Sequence, residues 1–130
     1  MPGCVLRASG AKFDVDSFLK TSPFKADVIY RKGQRRRPAS RGAQMASGFN
    51  VAISDSDDPQ MQVEKALVFV RKNHDELLRL VRFGGIEDVI LDFACPQKEF
   101  VARTARLPAE LLTAAGALGM DVQVSFYLVA

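Results

Sequence analysis

Six basic side chains stand between Tyr30 and Gly42: Arg31, Lys32, Arg35, Arg36, Arg37 and Arg41, with no acidic residue anywhere between Asp27 and Asp55. Guanidinium groups gathered in this way suit carboxylates and phosphates, because the planar fork donates two parallel hydrogen bonds to either anion. The rest of the chain carries 12 Lys and Arg against 15 Asp and Glu, a net of −3, so the positive charge is local. A basic loop on a mildly acidic body implies a directed electrostatic contact rather than general attraction to polyanions. Tyr30 and Tyr127 are the aromatic anchors such a contact would use. The expected binding set is therefore Tyr30, Arg31, Lys32, Arg35, Arg36, Arg37, Arg41 and Tyr127.

Other candidates for chemistry have simpler readings. Asp55, Asp57 and Asp58 cluster just ahead of Pro59, but the run lacks the glycine and the distal glutamate of a calcium loop. A helix cap at Asp57 or Asp58, with the proline in the first turn, accounts for the same residues. His74 is the sole histidine. It falls on an apolar stripe with no nameable nucleophile or orienting carboxylate, so it is expected to pack in the core. Glu87 and Asp88 are adjacent in a strand-like run and point to opposite faces. Cys4 and Cys95 also lie in apolar strand-like runs, where reduced thiols pack well. No cofactor, metal or catalytic constellation is expected, and the chain reads as a non-enzyme.

The elements that hold these residues follow from periodicity. Alternation marks strands over 3–9, 26–31, 47–54, 86–95 and 121–130. A short helix follows Phe13, with Asp14 as cap and Phe13 and Phe18 as a hydrophobic staple across it. The strongest helical signal runs from Val63 through Ala66, Leu67, Val70, His74, Leu77, Leu78 and Val81. Its length suggests a break near Asn73, with Asp75 capping the second piece. Gly84 and Gly85 stop it; Pro108 opens a last helix that ends at Gly119. A polar linker covers 96–106, with a helical turn at 99–102. In the last strand Val122, Val124, Phe126 and Leu128 are assigned to the core. The strands flanking the basic loop are expected to form a hairpin, and the loop is longer than geometry requires.

The resulting order, βαββαβαβ, predicts an α+β two-layer sandwich: one mixed or mainly antiparallel sheet of about five strands with helices on one face. The whole of 1–130 reads as one domain. The other sheet face, bearing Asn50, Asp92, Gln123, Ser125 and Tyr127, is a second candidate contact surface. The opening residues lack a secretory pattern and no apolar run approaches a membrane span, so a cytoplasmic location without membrane attachment is expected.

The runs L-R-A-S-G, F-D-V-D-S-F-L, V-I-Y-R-K-G-Q and S-G-F-N-V, and the stretch L-P-A-E-L-L-T-A-A-G-A-L-G-M-D-V-Q-V-S-F-Y, resemble a family of small bacterial proteins known as a domain of unknown function. The resemblance extends over nearly the whole chain. Its most specific parts are R-K-G ahead of the basic loop and the P-A-E-L-L helix. The family commonly places tryptophan where Phe49 stands. Some members look like immunity proteins that neutralise a partner toxin, and the resemblance implies that role here without supplying catalytic residues. Composition alone favours a protein partner over nucleic acid, since no aromatic side chain lies between Lys32 and Phe49 to stack a base. The alternative is capture of RNA or DNA phosphates by 31–41.

Overall fold

The computed structural model describes residues 3–36, 41–98, 102 and 104–129. Five strands form one sheet: β1 (Gly3–Gly10), β2 (Val28–Tyr30), β3 (Ser47–Ser54), β4 (Asp88–Lys98) and β5 (Asp121–Val129). Their order across the sheet is β2-β3-β1-β4-β5. The first four strands pair antiparallel, while β4 and β5 run parallel. That switch follows from connectivity, because β4 reaches β5 through a helical crossover, α4 (Ala109–Leu118).

Alternation sends Cys4, Leu6 and Ala8 of β1, Phe49 and Val51 of β3, and Val89, Leu91 and Phe93 of β4 to one face, where all are buried. Against this face pack α1 (Val15–Lys20), α2 (Pro59–Lys72), α3 (His74–Val81) and α4. They contribute Val15, Phe18, Val63, Ala66, Val70, Leu77, Leu80, Leu111 and Leu118 to the same core. The molecule is thus the two-layer α+β sandwich the sequence predicts, with one more helix because the long helix divides.

The helix starts obey local chemistry. Asp14 caps α1 by accepting from Ser17 N at 3.1 Å, and the Phe13 and Phe18 rings meet across the cap at 6.2 Å. Asp58 caps α2 through Met61 N at 3.2 Å, with Pro59 in the first turn. Gly119, at φ 80°, closes α4.

Four expectations need correction. The long helix breaks at Asn73, whose backbone N–H and side-chain amide both donate to Phe69 O, and Asn73 rather than Asp75 stands at the start of α3. The buried stripe runs on from Val70 to Leu77 and Leu80, and His74, the first residue of α3, lies off it; its side chain is 58% exposed and lies 3.3 Å from Asp75 Oδ1. Strand β4 continues through Pro96 to Lys98, where a linker is expected. Its pairing with β5 runs on to Lys98↔Val129, and Pro96 lies past the last described pair with β1, Gly3↔Ala94, near the end of the strand. Finally, Phe126 and Leu128 lie on the helix side of the sheet but are 55% and 69% exposed. A ten-residue helix covers about 15 Å and a nine-residue strand about 30 Å, so α4 shields only the first half of β5. The turn expected at 99–102 falls largely outside the described residues.

Candidate partner-binding surface

The basic segment is built as an arm. β2 and β3 pair at Val28↔Asn50, Ile29↔Phe49 and Tyr30↔Gly48, forming the expected hairpin. Beyond Tyr30 the chain makes a tight turn in which Gln34 N donates to Arg31 O at 3.0 Å and Gln34 Oε1 accepts from Arg31 N at 2.9 Å. Gly33 sits at φ 91° in the third position of that turn, where only glycine is at ease. The two sides then meet again. Gly33 N donates to Gln44 O at 2.9 Å, Gln44 N to Gln34 O at 2.7 Å and Arg36 N to Gly42 O at 3.0 Å, with Arg35 bridged to Ala43. Backbone bonds therefore hold the positions of Arg35 and Arg36 against 42–44.

The base of the arm is clamped to the body. Arg31 Nε donates to Asp16 Oδ2 at 2.9 Å and Nη2 to Asp16 Oδ1 at 2.6 Å, a two-pronged pair linking the arm to α1. These bonds hold the Asp16 carboxyl below its ordinary range and raise the Arg31 guanidinium above its own. Lys32 N donates to Ser47 Oγ at 2.9 Å, a second tie across the hairpin.

The expected binding residues consequently divide. Lys32, Arg35 and Arg41 are exposed, Arg36 is half-buried, and Arg31 is engaged with Asp16. The Arg36 Nε is buried and finds no hydrogen-bond partner among the described residues. Arg37 lies outside the described residues. Tyr30 leans over Gly48, so close that a Cβ there would stand 2.5 Å from the Tyr30 Oη. Tyr127 is not part of this surface. It lies level with Pro96 on β5, whereas Tyr30 lies level with Asp88 on β2, at the opposite corner of the sheet. Four strand spacings and eight residues of rise place them roughly 30 Å apart.

The open sheet face is polar at its centre but internally satisfied. Asp92 is 5% exposed, accepting from Arg7 Nε at 2.9 Å and Ser125 Oγ at 2.8 Å. With the Asn50 amide oriented to satisfy both its ends, its oxygen accepts from Arg7 Nη1 at 2.9 Å, so the chain of polar contacts crosses β3, β1, β4 and β5. Sequence alternation assigns Asn50, Asp92 and Ser125 to this face but not their mutual pairing, which depends on register. The network ties strands together rather than offering free groups to a ligand.

On the helix layer, a groove of about 650 Å³ lies between the start of α2 and residues 104–108, with Asp58, Glu64 and Arg106 on its walls. The Asp58 carboxylate there already serves the cap of α2. Among the described residues no three His, Cys, Asp or Glu side chains lie close enough together to hold a metal, and no helix is long and apolar enough to cross a membrane. No family model, curated protein or solved structure matches the chain.

Proposed function

We propose that the chain is a non-enzymatic binding protein of the immunity type, whose basic arm docks on an acidic surface of a protein partner such as a toxin. The observation that carries this reading is the backbone of the arm. Arg35 projects from a ladder that is already formed and anchored by Arg31 to Asp16, with the exposed Arg41 next to its far side, so docking forfeits less chain entropy than an unordered loop would. Guanidinium forks on a pre-ordered strand pair suit carboxylates in a bidentate fashion. An inhibitor of this kind needs complementarity and no chemistry of its own.

The test is capture from lysate of the native cell with tagged wild-type chain and with an Arg35→Glu/Arg41→Glu variant. Both residues are exposed, and Arg35 enters the ladder only as a backbone bridge, so the fold is retained. The reading requires a protein, identified by mass, that the wild type retains, that polyglutamate displaces, and that the variant fails to bind. Retention unchanged by the double charge reversal overturns it. Binding of a single-stranded RNA or DNA oligomer, with affinity falling steeply as salt rises, would instead favour phosphate capture.

A further inference from the structure

We infer that the chain forms a twofold symmetric dimer through β5, the last strand of its sheet among the described residues, pairing antiparallel with β5 of a second copy. This inference is independent of the basic arm, which lies at the opposite edge.

A free sheet edge is a template for another strand, and proteins that stay monomeric blunt such edges with short strands, lysines, prolines or bulges. The two edges here differ in this respect. β2 is three residues long and is followed at once by Arg31 and Lys32. β5 is nine residues long, reads D-V-Q-V-S-F-Y-L-V, pairs with β4 without a bulge, and contains no lysine, arginine or proline. Its single charge is Asp121.

The pattern of β5 is self-complementary about Ser125. Antiparallel pairing on a twofold axis there sets Val124 opposite Phe126 of the second copy, Val122 opposite Leu128, Gln123 opposite Tyr127 and Asp121 opposite Val129. Directly opposed residues share a face in such a ladder. The strongly exposed Phe126 and Leu128 therefore land on the half-buried Val124 and Val122 on the helix side, while the polar residues meet on the open side. No like charges oppose one another, because each Asp121 faces a valine. Each copy supplies the two large apolar side chains that the other lacks at that end of its strand.

Geometry favours a second copy over an open chain of molecules. Pairing of β5 with β2 of a neighbour would offer three residues, and the isologous arrangement offers nine and closes on itself. A strand edge about 30 Å long and roughly 10 Å deep, twice that depth over the half that α4 covers, gives a footprint of about 450 Å² per copy. That total of about 900 Å² lies in the range of weak, transient interfaces, so a concentration-dependent dimer is expected rather than an obligate one. The resulting ten-stranded sheet carries its two basic arms at its far ends.

The test is the mass in solution by sedimentation across roughly 1–100 µM. Wild-type chain should move from monomer to dimer over this range. Phe126→Lys/Leu128→Lys, which alters only exposed side chains, should raise the dimer dissociation constant at least tenfold. For register, Ser125→Cys places two thiols opposite each other at about 4.5–5.5 Å between Cα atoms and should give a covalent dimer on mild oxidation. The thiols of Gln123→Cys would lie about 14 Å apart and should not cross-link. A wild type that stays monomeric throughout, a dimer indifferent to the lysine pair, or cross-linking of the Gln123→Cys variant but not of the Ser125→Cys variant would each overturn the inference.

Discussion

The guanidinium of Arg79 lies over Phe18, its Cζ 4.2 Å from the ring centroid and 5.8 Å from that of Phe83. The same group donates Nη2 to Phe18 O at 3.2 Å and holds Glu76 with Nε at 2.7 Å. Phe18 in turn stacks on Phe49 at 5.7 Å and meets Phe83 edge-on at 5.2 Å, so one arginine closes the lid of an aromatic cluster joining α1, α3 and β3. Arg79→Ala should destabilise the fold by about 1–2 kcal/mol, the sum of a partly desolvated cation–π contact and its hydrogen bonds. Arg79→Lys should recover less than half of that, because an ammonium has no plane to stack and no fork for Glu76. Urea unfolding followed by circular dichroism measures both. Equal stability of wild type and Arg79→Lys would mean that only the charge matters.

Glu76 gives that cluster a pH dependence. The Arg79 hydrogen bond, ahead of a smaller contribution from Ser22, holds its carboxyl below the ordinary glutamate value of 4.5 despite partial burial. A carboxyl whose folded-state pKa lies below its unfolded value adds stability that is fully present above the unfolded value and is lost as pH falls through the folded one. The pair should therefore contribute about 0.5–1 kcal/mol at neutral pH and fade from about pH 4.5 downward. Unfolding free energy measured from pH 7 to pH 3 should fall less steeply at the acid end in Glu76→Gln than in wild type. Parallel curves would show that Glu76 is not among the titrating groups.

Gly48 is where the arm joins the sheet. A Cβ at this position would come within 2.3 Å of Ala8 O in β1 and 2.5 Å of the Tyr30 hydroxyl. The first is backbone and cannot yield without parting β1 from β3. Gly48→Ala should cost about 1–3 kcal/mol, the usual range for forcing volume into a close-packed site. It should also dislodge the Tyr30 ring, visible as a change in tyrosine fluorescence, whereas Gly116→Ala in α4, with open space around it, should leave that signal unchanged.

The layers of the fold are legible in the sequence because they follow from local rules: alternation, capping by Asp14 and Asp58, and a glycine stop at Gly119. What escapes depends on geometry that spacing does not carry. A stripe of three- and four-residue steps can pass through His74 or beside it, and the buried positions Val70, Leu77 and Leu80 take the second course. Phe126 and Leu128 share the alternation of a buried strand but lie past the reach of α4. Within the site, the six basic residues stand out by composition, whereas the engagement of Arg31 with Asp16 joins positions fifteen residues apart and requires the three-dimensional path of the hairpin. Residue type groups Tyr127 with Tyr30, and strand order separates them.

The cysteines allow a direct check of core integrity. Cys4 is fully buried, opposite Phe93 on β4, and burial, with a lesser contribution from the Asp92 charge, pushes its thiol up to about 12. Cys95 is 1% exposed on the same side of β4, and neither forms a disulfide. Since the thiolate is the reactive species, the Cys4 thiol at pH 8 is both inaccessible and almost wholly protonated, and Cys95 is shielded by its burial. An aromatic disulfide reagent should therefore release no chromophore from the native chain on the time scale of minutes, and two equivalents once urea unfolds it. Raising the pH to 9 should accelerate the native reaction only by the rise of about threefold in the thiolate fraction of the unfolded chain, multiplied by any rise in the unfolded fraction. One equivalent released quickly from the native protein would place a cysteine at the surface and contradict the packing of β1 against β4.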